Sequence, residues 1–200
     1  MVILNKEVYK NLINSKIIKF YDICFSSVIL FCLSPLIVLI LIICFLETGN
    51  PIFIQKRVGK DQKSFNLIKF RTMKINTPSL ASHLIHKSSV TRFGKIIRQL
   101  KLDELPQLIN VIKGDMSLVG PRPCLLNQLE LIEFREKYKV FQVKPGITGL
   151  SQINGIDMSN PKKLAESDFF MLKKINQKNY FKYLILTFFG KGFGDKVRKK

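Results

Sequence analysis

Residues 23–46 read ICFSSVILFCLSPLIVLILIICFL, an apolar run of 24 residues without a charged side chain, bounded by Asp22 and Glu47. As one straight helix the run would be about 36 Å long. The hydrocarbon core of a bilayer is about 30 Å thick, so the run predicts a segment that enters a membrane. A cleaved signal peptide is not expected, because the run is too long and no small-residue cleavage site follows it.

Two features of this segment argue against a simple crossing. Ser34-Pro35 lies at its middle, where proline removes a backbone hydrogen bond and kinks a helix. Both flanks are basic, and basic flanks favour the cytoplasmic side. If both ends obey that preference, the chain breaks near Ser34-Pro35 and returns, with Ser34 helping to satisfy the freed backbone groups. An ordinary span with a proline kink accounts for the residues equally well, so both arrangements stay open. The flanking cations are Lys6, Lys10, Lys16 and Lys19 before the run, and Lys56, Arg57, Lys60 and Lys63 after it.

The rest of the chain predicts a small strand element and several helices. Residues 52–58 (IFIQKRV) and 65–73 (FNLIKFRTM) have strand composition and are separated by a turn at 59–61, which predicts a hairpin. Helices are expected at 103–113, 126–138 and 162–175. The apolar and aromatic segment 180–189 is too short to span a membrane and would rest at the interface or pack in the core. The fold class predicted is therefore α+β and mainly helical.

Another helix is expected where apolar residues recur at helical spacing. Phe93, Ile96, Ile97 and Leu100 follow the i, i+3, i+4, i+7 pattern of an amphipathic helix. Such a helix either turns its apolar face to the core or lies on a membrane surface. The domain boundaries expected are a membrane segment at 1–50, a catalytic domain at 51–190 and a basic tail at 191–200.

The charge balance predicts anionic partners. The chain of 200 residues carries 33 Lys and Arg against 14 Asp and Glu, a net charge of +19. Such an excess attracts nucleic acid, anionic lipid or phosphorylated substrates. Nucleic-acid binding is the first rival interpretation, but no helix-turn-helix, zinc-finger or RNA-binding signature is present and the apolar run is left unexplained. The four cysteines contain no Cys-x-x-Cys spacing, which argues against a zinc site or a disulfide framework.

The first group of residues suited to chemistry is the pair Asp103-Glu104, followed by Pro106. Asp103 is a good N-cap and proline is tolerated in a first helical turn, so the pair is expected at a helix start. Helix starts also bind phosphate, and Mg²⁺ would reconcile phosphate with two carboxylates. An aspartate so placed can act as a nucleophile on phosphorus. Alone, the pair is equally typical of a capped surface helix whose dipole favours acidic residues.

Two loops punctuated by glycine and proline follow the acidic pair. Residues 113–123 read KGDMSLVGPRP, in which Arg122 offers two parallel donors to a phosphate. Residues 144–155 read KPGITGLSQING. Neither loop matches the common phosphate-loop or dinucleotide fingerprints, and each by itself is compatible with an ordinary turn.

Taken together, these segments resemble the monotopic phosphoglycosyl transferases, also called bacterial sugar transferases. The resemblance extends from about residue 20 to residue 185. Its signatures are KFRTM at 69–73, RQLKLDELPQ at 98–107, GDMSLVGPRP at 114–123 and PGITG at 145–149, behind an apolar segment that holds Ser34-Pro35. A chance match to all four is negligible.

The resemblance implies a reaction and a set of site residues. Members of this family have a re-entrant helix broken at the Ser-Pro pair, here Ser34-Pro35. They transfer a sugar-1-phosphate from a UDP-sugar to a polyprenyl phosphate and release UMP, through an aspartyl phospho-sugar intermediate, at the cytoplasmic face of the bacterial inner membrane. Their glutamate helps to hold Mg²⁺. The residues so implied are Asp103 as nucleophile, Glu104 with Asp103 as metal ligands, Lys69, Arg98 and Arg122 as phosphate contacts, and Asp168 as a further functional residue.

One departure from the family pattern bears on activity. Many relatives carry arginine where this chain has Ile156, after the PGITG motif. A phosphate contact made by that arginine is then missing or comes from elsewhere, with Lys162 and Lys163 as candidates. Two further interpretations therefore stay open: an inactive or scaffolding membrane homologue, and a phosphatase that forms an aspartyl phosphate. Without the resemblance, Asp168 would be only a polar position on an amphipathic helix.

Overall fold

A computed structural model describes residues 16–78 and 86–192 of the chain. It begins with helix α1 (Lys16–Cys32) and helix α2 (Ser34–Thr48). In the described ranges no helix taken alone has the length and hydropathy to span a membrane, whereas α1 and α2 meet that criterion as a pair bent by 66°. The predicted basic tail at 191–200 lies almost entirely outside the described residues.

The bend between α1 and α2 is centred on Leu33 and follows from proline chemistry. Pro35 has no N–H, so the carbonyl of Phe31 loses the helical donor it would otherwise have. Ser34 Oγ donates to Phe31 O at 2.8 Å and satisfies that carbonyl. On either side the helical hydrogen bonds continue, from Leu33 N to Ile29 O and from Ile37 N to Leu33 O. The break thus leaves few backbone groups without a partner.

The hairpin follows α2 directly. Strand β1 (Ile52–Val58) pairs antiparallel with strand β2 (Ser64–Phe70), in a register that joins the first residue of each to the last of the other. The connecting 3-10 turn at Lys60–Gln62 contains Asp61 with φ 51°. The predicted second strand was too long, because the pairing with β1 ends at Ile52 and Phe70, and beyond it only Arg71 N reaches Pro51 O, at 2.8 Å. Met73 instead forms an isolated bridge with Val90.

Helix α3 (Arg92–Gln99) matches the amphipathic pattern, and Thr91 caps it by accepting a hydrogen bond from Gly94 N at 3.0 Å. The 3-10 turn Leu102–Glu104 and helix α4 (Gln107–Lys113) follow. The prediction that Asp103 caps an α-helix is wrong. Residues 104 and 105 make i to i−3 hydrogen bonds, and Pro106 has no N–H, so the regular helix begins at Gln107.

The middle of the chain forms a second strand pair that the sequence analysis did not predict. Strand β3 (Ser117–Val119) and strand β4 (Gly146–Thr148) lie parallel. At their crossing the backbone of Gly120 approaches that of Gly146 so closely that a Cβ on Gly146 would lie 2.0 Å from Gly120 N. Glycine is required at this contact for its missing side chain.

The remaining elements complete a mainly helical fold with small strand pairs, which confirms the predicted class. The predicted helices at 126–138 and 162–175 form with ends shifted by one to three residues, and the apolar segment 180–189 lies mostly in a helix. The elements are α5 (Leu129–Lys137), a 3-10 turn at Val140–Gln142, α6 (Leu150–Ile153), α7 (Pro161–Lys174) and α8 (Gln177–Phe188).

The main core joins the start of α1 to α4, β3 and α8. Asp22, at the foot of the apolar run, is buried and accepts hydrogen bonds from Leu118 N at 2.9 Å and Tyr180 Oη at 2.5 Å. A second cluster lies between α5 and α7, and a third joins α2 to β2 and α3 through Ile40 and Cys44. These contacts attach the bent helix pair firmly to the rest of the molecule.

Candidate active site

The Asp103–Glu104 pair lies in the 3-10 turn between α3 and α4, against strand β2. Lys101, with φ 56°, reverses the chain just before the turn. Asp103 is 7% exposed and the Glu104 side chain is 11% exposed. Two adjacent carboxylates buried in this way require compensating positive charge.

Glu104 receives that charge from Arg122. The Arg122 Nη2 donates to Glu104 Oε1 at 2.7 Å, and the Arg122 side chain remains 38% exposed. Burial disfavours the Glu104 anion, but the charge of Arg122 and those of nearby lysines outweigh it and lower the Glu104 pKa. Glu104 in turn raises the pKa of Arg122. The pair is therefore ionised at neutral pH.

Asp103 has a different environment from its neighbour. Burial, and then repulsion from Glu104, raise the pKa of Asp103 to about 6. The charges of three basic side chains oppose that rise and keep the pKa below neutrality, so most of the carboxylate is ionised at pH 7. An ionised carboxylate with little solvation is a competent nucleophile toward phosphorus. The opposing charges belong to Lys69, Arg98 and Arg122.

Two of those basic side chains come from separate elements. Arg98, in the last turn of α3, is 8% exposed, and its Nη1 donates to Thr72 Oγ1 at 3.4 Å. Lys69 lies on β2, with its ammonium 5.4 Å from the centre of the Phe53 ring across the hairpin. Burial, and then the charge of Arg57, lower the pKa of Lys69 to about 8. The structure thus brings Lys69, Arg98 and Arg122 around the acidic pair.

Arg57 is a fourth cation in this cluster, and the sequence analysis did not assign it to the site. It is buried on β1, and burial together with the charge of Arg122 lowers its pKa to about 10. On this strand Gln55 and Arg57 are buried, whereas Ile54 and Lys56 are exposed. Two polar side chains therefore face inward and an apolar one faces outward. Gln55 and Arg57 are two residues apart and so lie on the same face of the strand, and this spacing was the sequence signal that could have identified Arg57.

Asn110 fixes the acidic pair relative to the hairpin. Its side chain accepts a hydrogen bond from Ile68 N at 3.0 Å and donates one to Asn66 O at 2.8 Å. The side-chain amide of Asn110, on α4, thereby forms hydrogen bonds with the β2 backbone as a neighbouring strand would. This contact sets the position of the turn that carries Asp103 beside the strand that carries Lys69, and the sequence analysis did not identify it.

The two glycine and proline motifs meet through the β3–β4 pair. Ser117 N donates to Pro145 O at 2.9 Å, Gly120 N to Thr148 O at 2.8 Å and Gly146 N to Pro121 O at 2.9 Å. Residues 114–123 and 145–149 are therefore one structural unit. Arg122 belongs to this unit and forms the ion pair with Glu104.

Asp168 lies behind that unit and not among the phosphate-binding candidates. It is fully buried, and its Oδ2 accepts hydrogen bonds from Arg135 Nε at 3.0 Å and Arg135 Nη2 at 2.6 Å. Its Oδ1 accepts from Ser151 Oγ at 2.7 Å. Asp168 is thus a buried partner of Arg135, whereas its sequence pattern alone suggested a polar position on an amphipathic helix. Ser34 and Pro35 remain at the helix break described above.

A family model described as bacterial sugar transferase matches residues 13–192 of the chain. The chain belongs to the bacterial sugar transferase family. The match covers 180 of 200 residues and confirms the resemblance inferred from the four motifs.

Individual sugar transferases show the same similarity. An uncharacterized sugar transferase of Bacillus subtilis, EpsL, is 41% identical over 75% of this chain and 74% of that protein. The UDP-N-acetylgalactosamine-undecaprenyl-phosphate N-acetylgalactosaminephosphotransferase of Aeromonas hydrophila is 36% identical over 72% of this chain and 36% of its own length. The UDP-glucose:undecaprenyl-phosphate glucose-1-phosphate transferase of Escherichia coli is 36% identical over 88% of this chain and 40% of its own length. The chain therefore spans less than half the length of the last two.

Ile156 stands where the resemblance leads us to expect an arginine. Its side chain packs in the cluster around Cys124 and Leu164, just behind the Arg122 loop. The next residue, Asp157, lies near enough to Arg122 for its charge to raise the Arg122 pKa. Lys162 and Lys163 are exposed on the first turn of α7. Position 156 therefore borders the candidate site and contributes an apolar side chain to it.

Proposed function

We propose that this sugar transferase moves a sugar-1-phosphate from a UDP-sugar to a polyprenyl phosphate and releases UMP. The observation that carries the proposal is the buried Asp103 carboxylate at the centre of a cluster of cationic side chains. The names of the Aeromonas and Escherichia coli relatives, which specify a UDP-sugar donor and undecaprenyl phosphate, support the same substrate classes. By this reaction the chain would begin the assembly of a cell-surface glycan.

The charge balance of the cluster fits an anionic substrate. Asp103 and Glu104 supply two negative charges, while Arg57, Lys69, Arg98 and Arg122 supply four positive ones. Buried charge without compensation is costly, so an excess of cations favours a bound anion such as a diphosphate. The same side chains would stabilise the charge that develops on the phosphoryl oxygens during transfer.

The proposed reaction has two displacement steps. An Asp103 carboxylate oxygen attacks the β-phosphorus of the donor, and the bond from that phosphorus to the UMP oxygen breaks. UMP leaves, and the sugar-phosphate remains on Asp103 as an acyl phosphate. A phosphate oxygen of the polyprenyl phosphate then attacks the same phosphorus and displaces the Asp103 carboxylate. The polyprenyl diphosphate-linked sugar is thereby released, and the carboxylate is regenerated.

Mg²⁺ is part of the proposal as a cofactor. The described residues contain no group of three or more His, Cys, Asp or Glu side chains that could hold a metal ion. Mg²⁺ is commonly held by one or two carboxylates together with substrate phosphates and water, so the Asp103–Glu104 pair fits this mode. Glu104 with Asp103 would hold the ion, which when bound neutralises charge on the donor diphosphate.

We further propose that α1 and α2 form a re-entrant membrane segment, with the catalytic part at the cytoplasmic face of the inner membrane. The support is the 66° bend at the Ser34-Pro35 break and the apolar surface around it, where Phe31 is 82% and Leu46 78% exposed. Exposed apolar residues on α3 and α8 would rest at the same interface. They are Ile96, Leu100, Ile185 and Phe188.

The test is UMP release from a panel of UDP-sugars by detergent-purified protein with Mg²⁺, with and without undecaprenyl phosphate. The panel includes UDP-glucose and UDP-N-acetylgalactosamine, the donors named for the relatives. Sustained release that depends on both the lipid and one sugar is the expected result. Without the lipid, release should stop after one equivalent, because the sugar-phosphate stays on Asp103. Asp103→Asn should abolish turnover, while Asp61→Asn, in the hairpin turn, is the matched control and should not.

Other outcomes would contradict the proposal. Continued release of phosphate or sugar-phosphate without lipid would indicate a phosphatase. No release from any donor by folded protein would favour an inactive scaffold and would make Ile156 the first residue to replace with arginine. Full turnover by Asp103→Asn would exclude Asp103 as the nucleophile.

A further inference from the structure

Two buried arginines hold the backbone of the loop that carries Arg122. Arg135 Nη1 donates to the carbonyl of Arg122 at 2.8 Å, and Arg57 Nη1 donates to the carbonyl of Pro123 at 3.1 Å. The next carbonyl, that of Cys124, accepts from Val58 N at 2.9 Å. Three successive carbonyls are therefore fixed by donors from α5 and β1.

The loop depends on such donors because its own sequence cannot supply regular structure. Pro121 and Pro123 have no N–H, so neither helix nor strand pairing can continue through them. Both prolines and Cys124 are buried, and a buried carbonyl without a donor is costly. Charged guanidinium donors form stronger hydrogen bonds than neutral ones. Arg57 and Arg135 therefore set the path of this segment.

Each arginine is itself anchored away from the acidic pair. Arg135, 1% exposed, is held by two hydrogen bonds to fully buried Asp168, whose other oxygen is held by Ser151. Arg57 Nη2 donates to Gln55 Oε1 at 2.6 Å. The Arg135–Asp168 pair reaches the acidic pair through the Arg122 backbone, whereas Arg57 also lies close enough to Glu104 for their charges to interact.

We propose that Arg135, anchored by Asp168, and Arg57, anchored by Gln55, are positioning residues that place the Arg122 guanidinium on Glu104. The Arg122 side chain is partly exposed and has Glu104 as its hydrogen-bond partner. The position of its guanidinium therefore depends on where the backbone places the Arg122 Cα. The inference rests on the proposed function in assigning Arg122 to the donor phosphates. It gives Asp168 an indirect role, through Arg135 and the loop.

The first test does not depend on turnover. Hydrogen exchange by mass spectrometry would follow the peptide 117–126 in wild-type protein and in Asp168→Asn, Arg135→Lys, Arg57→Lys and Ser151→Ala variants. Faster exchange confined to that peptide is expected in all four, with the smallest change in Ser151→Ala. Glu166→Gln is the matched control, because Glu166 is an exposed carboxylate of α7 two residues before Asp168. It should leave exchange unchanged. Unchanged exchange in the variants that remain folded would overturn the proposal.

The second test separates positioning from general structural support. In protein with Arg122, Arg135→Lys and Arg57→Lys should lower kcat/KM for the UDP-sugar by about tenfold to a hundredfold, as misplacement of a catalytic group does. In an Arg122→Ala background Arg135→Lys should change kcat/KM by less than about twofold, because the group that Arg135 positions is gone. Equal fold losses in both backgrounds would overturn the inference.

The two tests also keep the inference distinct from the proposed function. If wild-type protein releases no UMP, the proposed function fails, and the exchange experiment alone decides whether the arginines hold the loop. Ser151→Ala and Arg57→Lys keep that decision available if Asp168→Asn, which leaves Arg135 without its buried counter-charge, does not fold.

Discussion

Replacing Gly146 with alanine is expected to separate the two strands that bring the glycine motifs together. The added Cβ would lie 2.0 Å from Gly120 N and 2.5 Å from Gly120 Cα, both of them backbone atoms. Backbone atoms cannot turn aside as a side chain can, so β3 and β4 must move apart. Three backbone hydrogen bonds cross this junction, from Ser117 to Pro145, from Gly120 to Thr148 and from Gly146 to Pro121.

The expected cost follows from those contacts. Each backbone hydrogen bond contributes about 1 kcal/mol, so losing three removes about 3 kcal/mol. Overpacking in a buried site costs about 1–3 kcal/mol by itself. The free energy of unfolding should therefore fall by about 4–6 kcal/mol, a large part of the roughly 5–15 kcal/mol of a typical domain. Because Pro121 O belongs to the junction, the same change displaces Arg122, and turnover should fall with stability.

The assay is urea unfolding of the detergent-solubilised protein, followed by circular dichroism because the chain contains no tryptophan. With a slope of about 1–3 kcal/mol per molar urea, the midpoint should fall by more than about 1 M. Gly49→Ala is the control, since Gly49 has φ +70° and nothing within 4 Å of its added Cβ. It should cost only the conformational strain of about 1–2 kcal/mol. If Gly146→Ala costs no more than Gly49→Ala, the close approach does not have the structural role assigned to it.

Four further predictions concern the site and the membrane segment. With Asp103 as the proposed nucleophile, its ionised form is the active one, so kcat/KM should fall as the pH drops through the Asp103 pKa of about 6, by about tenfold from pH 7 to pH 5. Lys69→Met should move this acid limb to higher pH, because the Lys69 charge lowers the Asp103 pKa; an unmoved limb in pH–rate profiles would contradict that coupling. Arg122→Ala should lower kcat/KM for the donor by roughly tenfold to a hundredfold through the loss of a charged hydrogen-bonding group, with detergent extraction from membranes unchanged; a change in extraction without a change in kinetics would place Arg122 outside the site. Pro35→Ala restores the N–H that Phe31 O lacks and should shift α1–α2 toward a straight span. The check is to introduce single cysteines at the two ends of the segment and to label them with a membrane-impermeant reagent. If both ends still react from the cytoplasmic side, the prediction is refuted.

The local elements of the fold were predictable from sequence. Strand β1, helix α3 and the position of the helix break follow from alternation, helical spacing and the Ser34-Pro35 pair, all of which act over a few residues. The acidic pair was expected at the N-terminus of an α-helix, but that helix begins about one turn later, at Gln107. Proline is compatible with a first turn, and only the actual hydrogen bonds show that residues 102–105 form a 3-10 turn instead.

The composition of the candidate site was predictable in part. The family motifs singled out Lys69, Arg98 and Arg122 together with the acidic pair, and the structure brings these five into one cluster. Arg57 and Asn110 were missed because their environment comes from partners far along the chain. Arg57 bonds a carbonyl 66 residues away, and Asn110 bonds a strand more than 40 residues away.

By itself the sequence determined where the hairpin and the longer helices would form, where the apolar helix would break, and which residues could carry phosphate chemistry. Tertiary structure alone decided that β3 and β4 would pair in parallel, and that Arg135 and Asp168 would be buried as a pair behind Arg122. The physical reason is that periodicity reports only the side of an element that faces inward. A buried charge is tolerated only beside its counter-charge, and in this chain the counter-charge of Arg135 lies 33 residues away on another helix.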